Sequence, residues 1–138
     1  MKNMIFRNNS VGFAQPTWTN RNTAIDCLMG TDASSAWSDV TFENIEIYHV
    51  ISPNVINMQV QGKGGILENI TFKNITVKST ENGVYAFRMH FSADGGSISG
   101  VTLDNVKVEG KTLTQSDVSN PKLFRNEAQA YFGNVMVK

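Results

Sequence analysis

Among 138 residues this chain has one cysteine, three prolines, two histidines and no net charge. A single thiol, Cys27, excludes an internal disulfide and a cysteine-built zinc site. It lies in the apolar run Ile25 to Met29, where a buried structural thiol is expected. The 12 basic and 12 acidic side chains cancel, which argues against a general nucleic-acid or anionic-membrane binder. No apolar run approaches the ~18 residues of a membrane span. The opening Met1-Lys2-Asn3-Met4 lacks the apolar core of a signal peptide.

What the chain does have is a repeat. A short pattern returns as Met4-Ile5-Phe6-Arg7-Asn8, Val40-Thr41-Phe42-Glu43-Asn44, Ile70-Thr71-Phe72-Lys73-Asn74, Val101-Thr102-Leu103-Asp104-Asn105 and Ala130-Tyr131-Phe132-Gly133-Asn134. The asparagines are separated by 36, 30, 31 and 29 residues. Periods of ~20–50 residues mark solenoids, propellers and arrays.

Within a copy, apolar residues alternate before the asparagine: Val40 and Phe42 against Thr41 and Glu43. That is the two-residue period of a half-buried strand. After the asparagine the phase slips by one, with Ile45 and Ile47 apolar and Glu46 polar. A strand cannot change phase without bending, so the asparagines are expected at bends, turned inward. Asparagine tolerates left-handed backbone, and stacked copies can bond amide to amide. A third strand follows a variable loop, as Val55–Val60 and Tyr85–Met89, closed by glycine-rich turns. Three strands per turn, with crossovers of the usual right hand, predict an all-β right-handed single-stranded parallel β-helix. About four turns with an internal asparagine ladder fit in a single domain over 1–138.

Two columns support this register. Phe6, Phe42, Phe72, Leu103 and Phe132 would stack inside, and Arg7, Glu43, Lys73 and Asp104 would alternate in sign outside. Adjacent strands lie ~4.8 Å apart, close enough for cross-strand pairing. The first motif leaves no room for a preceding strand, and solenoids need polar end caps. The expectation is therefore the C-terminal portion of a longer β-helix, with self-association through the open end.

The cadence Asp39-Val-Thr-Phe-Glu-Asn-Ile-Glu-Ile-Tyr-His49, with Asn69–Val77, Tyr85–His90 and Gly100–Leu113, resembles β-helical polysaccharide hydrolases. The dextranase and isopullulanase type is the nearer likeness and the polygalacturonase-like family the second. The resemblance implies hydrolysis of a glycosidic bond by outward aspartates of the third strand, an extracellular or periplasmic parent protein, and no cofactor. An inverting pair of carboxyl groups stands ~6.5–9.5 Å apart. This chain departs from that pattern: it has no Asp-Asp pair, no Asn-Thr-Asp and no Arg-Ile-Lys. A glucan therefore fits better than a pectin-like polymer, and the chain is expected to supply groove wall and to be inactive alone.

The outward face of the third strand supplies the candidate residues. Asp26, Gln59 and Arg88 are read as one polar column, with His90 beside Arg88, and sugars are held by such planar hydrogen-bonding groups. Asp26 is the candidate catalytic carboxylate; Gln59, Arg88, His90 and His49 are the candidate substrate-binding residues. Trp18 and Trp37 could offer stacking faces. Two histidines in different repeats do not make a metal site. The alternative function is a non-catalytic β-helix, such as a surface adhesin or phage tailspike segment. The variable third loop favours the hydrolase, because loops of unequal length on one face build a cleft.

Overall fold

The computed structural model describes residues 2–12, 24–29, 35–48, 54–60, 64–78, 85–91, 96–126 and 135–138, with side chains except at 9–12, 28–29, 85–91 and 126. The strands are β1 (Lys2–Gly12), β2 (Ile25–Met29), β3 (Ala36–Tyr48), β4 (Asn54–Val60), β5 (Ile66–Val77), β6 (Tyr85–Phe91), β7 (Ser97–Ser99), β8 (Val101–Asp104), β9 (Lys107–Val108), β10 (Lys111–Thr112), β11 (Phe124–Asn126) and β12 (Val135–Val137). They form two sheets. The first runs β1-β3-β5-β8-β12, with β7 and β9 also on β5 and β10 on β9; the second runs β2-β4-β6-β11. Up to β6 the chain visits the two sheets by turns. Every described pairing is parallel except β9 with β10.

The asparagines do sit at bends, and they do form a ladder. Asn8, Asn44, Asn74 and Asn105 have φ of 58°, 56°, 52° and 52°. Each amide donates to the strand before it: Asn44 to Asn8 at 3.1 Å, Asn74 to Asn44 at 2.9 Å and Asn105 to Asn74 at 2.9 Å. The expectation that they point inward is wrong, because all four are exposed. A slip of one residue needs two consecutive side chains on one side of the strand. Here Lys73 and Asn74 both face out, between buried Phe72 and Ile75. Hydrogen-bonded pairing continues on either side of the bend, because the neighbouring strand bends at the same place.

A second column lies five residues earlier. Asn3, Asp39 and Asn69 have φ of 53°, 56° and 54°, and Gly100 has φ of 62°. Asn69 donates to Asp39 Oδ1 at 3.1 Å. Each long strand of the first sheet therefore turns two corners. At Gly100 an added Cβ would lie 2.7 Å from Asn69 Oδ1 and 3.2 Å from its backbone nitrogen. Gly100→Ala is expected to cost ~1–3 kcal/mol, from left-handed backbone and this clash. Urea unfolding of the variant checks it.

β12 pairs Val135 with Val101 and Val137 with Leu103, so Val137 occupies the rung beside Leu103. Phe132 and Asn134 themselves lie outside the described residues. The inner stack is Phe6, Phe42, Phe72 and Leu103, with ring centroids 5.1 Å and 5.3 Å apart along the phenylalanines. The outer column Arg7, Glu43, Lys73 and Asp104 is in register, and Arg7 Nε pairs with Glu43 Oε1 at 3.0 Å.

The far edge of β12 is closed by a side chain. Gln115 opens a 3-10 turn, Gln115–Ser119. Its Nε2 donates to Val135 O and its Oε1 accepts from Val137 N, both at 2.9 Å. One amide thus imitates the peptide group of a missing neighbour. The turn is held by Asp117, which accepts from Thr114 N and Oγ1 at 2.9 Å and from Lys111 Nζ at 2.5 Å. The Lys111 ammonium and the two Thr114 donors hold the Asp117 carboxyl at about 2, below its ordinary 3.8. A lowered pKa stabilises the fold above the ordinary value, and that contribution fades as pH falls from ~4 toward 2. Parent and Asp117→Asn are therefore expected to differ in urea stability at pH 7 and to converge as pH falls through that window.

Candidate functional site

Four residues occupy one column across the second sheet. The register sets Asp26 beside Asn57, Asn57 beside Arg88, and Arg88 beside Arg125. Two residues further along each strand, the register sets Leu28 beside Gln59 and Gln59 beside His90. Gln59 therefore does not share a column with Asp26 and Arg88; Asn57 takes that place. The even step of 31 residues between Asp26 and Asn57, and again to Arg88, was the available signal. Loops of unequal length between the strands obscure that spacing.

Alternation puts Asp26 outward: Ile25 and Cys27 on either side are 7% and 0% exposed. Burial, then the neighbouring Asp26 charge, push the Cys27 thiol up to about 12. It is the inert thiol the sequence suggests. Asn57 donates its Nδ2 to Asp26 Oδ1 at 2.7 Å. Although Asn57 alternates with inward Met58, it is only 6% exposed, and Gln59 is half-buried. The β4 rung is thus sheltered on both faces. Among the described residues, Asn57 Oδ1 is a buried side-chain oxygen with no hydrogen-bond partner. The following rung is Arg88, whose residue type carries five donors and no acceptor. The column is graded in charge, acidic at β2, neutral at β4, basic at β6 and β11.

Asp26 is the one carboxylate on the four strands of this sheet. A general acid and a general base cannot both come from it, so the sheet does not supply a pair of carboxyl groups. Among the described residues no cluster of histidine, cysteine, aspartate and glutamate is arranged to hold a metal ion. No described helix is long and apolar enough to cross a membrane. Trp37 is half-buried against the core. Trp18 and His49 lie outside the described residues, and His90 is placed by its backbone register alone.

A second polar group sits on the first sheet. Tyr48 Oη donates to Glu46 Oε2, which also accepts from Lys78 Nζ at 3.1 Å, while the ammonium lies 4.8 Å over the Tyr48 ring. The Tyr48 and Lys78 hydrogen bonds lower the Glu46 pKa, and the bond to Glu46 raises that of Lys78. These groups satisfy one another and brace neighbouring strands. Comparison with protein-family models, curated proteins and solved structures finds no match to this chain.

Proposed function

We propose that the chain is a right-handed parallel β-helix and the C-terminal portion of a glycoside hydrolase acting on a polysaccharide. In this reading the second sheet lines a groove wall, and the catalytic pair comes from elsewhere in an extracellular or periplasmic parent protein. The coil is supported by the chain's alternation between two parallel sheets and by strand order following chain order, and its right hand by the general preference of parallel crossovers. The function rests on one observation: consecutive in-register polar rungs, Asp26-Asn57-Arg88 with Gln59-His90 beside them. Rungs repeat every ~4.8 Å along the sheet, so hydrogen-bonding groups recur at regular intervals along it, with exposed Asp26 and half-buried Gln59 as the accessible described members.

Titration with dextran, pullulan and polygalacturonate tests this, followed by amide chemical shifts of β2, β4 and β6. One of the three is expected to bind, with Gln59→Ala and Arg88→Ala each weakening it several-fold. No reducing ends should be released by the chain alone. Absence of binding to all three, or binding indifferent to both substitutions, contradicts the groove. Release above background contradicts the inactive assignment and makes Asp26→Asn the next variant. The second reading is a non-catalytic adhesin or tailspike segment, which the single carboxylate of the second sheet favours. A binding signal confined to loops would select it.

A further inference from the structure

The two ends of the first sheet are built differently. At one end Gln115 occupies the outer edge of β12. At the other, β1 pairs with β3 along one edge, and no described strand pairs with its second edge. We propose that this second edge of β1 docks one further parallel strand of the same two-cornered repeat. That strand carries an asparagine or aspartate opposite Asn8 and a ring or leucine opposite Phe6. Its source is another turn of the same polypeptide, so the inference rests on the reading of this chain as part of a longer β-helix.

The polarity of the ladder defines the first requirement. Asn44, Asn74 and Asn105 each give their Nδ2 to the strand before. Asn8 accepts from Asn44, and among the described residues its own Nδ2 has no acceptor. The docked strand must therefore present a side-chain oxygen there, as asparagine or aspartate does. The stack defines the second requirement. Phe72 is 0% and Phe42 8% exposed, whereas Phe6 at the end of the column is only half-buried. The exposed ring face is a place for one more ring or for the leucine that follows Phe72 at the other end. Ile5, on the outer face between them, is 55% exposed.

The corners exclude a second copy paired strand to strand. Met4 and Phe6 pack toward the core, while Ile5 and Arg7 face out. Two antiparallel β1 strands keep like faces opposite only if paired residue numbers have an even sum, as when Met4 meets Phe6 and Ile5 meets Ile5. Superposing the corners instead requires Asn3 to meet Asn8, which sets Met4 against Arg7. The corners are an odd number of residues apart, so no antiparallel register satisfies both conditions. Parallel pairing satisfies both, as β3 demonstrates on the other edge. The β12 strand of another copy is parallel in sense, but its outer edge already bonds Gln115.

The test is a synthetic peptide with the β3 sequence, Ala36 to Tyr48, added to the 15N-labelled chain. It carries Asp39, Phe42, Glu43 and Asn44 at the matching places. A paramagnetic tag on its N-terminus is expected to broaden the amides near Lys2, and a tag on its C-terminus those near Gly12. A peptide with valine replacing both Asp39 and Asn44 must adopt left-handed backbone at two β-branched residues. It is expected to bind about ten-fold or more weakly. Absence of binding, equal binding of the control peptide, or reversed broadening would overturn the proposal. So would concentration-dependent broadening of β1 without peptide, because a second copy would then occupy the edge. No glycan enters the experiment, so its failure is separable from failure of the groove reading.

Discussion

Phe72→Ala is expected to lower the unfolding free energy by ~3–5 kcal/mol and the melting temperature by roughly 10–15 °C. Phe72 is 0% exposed and sits between Phe42 and Leu103 in the inner column. Its ring lies 5.3 Å from that of Phe42, tilted by 9°. Truncation removes the burial of a large side chain and leaves a cavity whose walls are ladder-bonded strands. Those strands are fixed in spacing by their hydrogen bonds and cannot close on the space. The inner stack repeats this geometry at Phe42, so Phe42→Ala tests whether the effect is general. Calorimetry that overlays parent and Phe72→Ala would show that the column is not the core.

The ladder carries the second large effect, and two substitutions separate its components. Asn74 holds φ of 52° while donating to Asn44 and accepting from Asn105. Asn74→Gly keeps that backbone accessible and deletes both bonds, at an expected ~1–2 kcal/mol. Asn74→Val deletes the same bonds and adds left-handed backbone at a β-branched residue, at an expected ~3–4 kcal/mol. Because Asn74 is exposed, its partners regain water, so no buried-group penalty is added. Urea unfolding of the pair reads the corner and the ladder apart. Equal loss in both variants would mean that conformation at the corner contributes nothing.

The first sheet was legible in the sequence to the extent that its residues speak for themselves. The spacing of Asn8, Asn44, Asn74 and Asn105 sets the register that the structure has. The direction of the asparagines was not legible, because one inward residue and two outward residues produce the same slip in phase. The second corner carries no single residue signature, since Asn3, Asp39, Asn69 and Gly100 share a tolerance of left-handed backbone and not a residue type. At both corners a left-handed residue is followed by an inward apolar one, as in Asn69-Ile70 and Asn74-Ile75, so alternation alone does not tell the two corners apart. On the second sheet, alternation identified Asp26 as outward. It could not pair Gln59 with His90, because loops of unequal length leave the register open.

Successive repeats stack in parallel and in register through paired corners, and cross-strand nuclear Overhauser contacts among residues 36–48, 66–77 and 101–105 test this most directly. Contacts are expected to join Thr41 to Thr71 and Thr71 to Thr102, with Asn44, Asn74 and Asn105 side-chain amides in mutual contact. Close α-proton pairs between these segments, the mark of antiparallel strands, or a register displaced by one residue would contradict it.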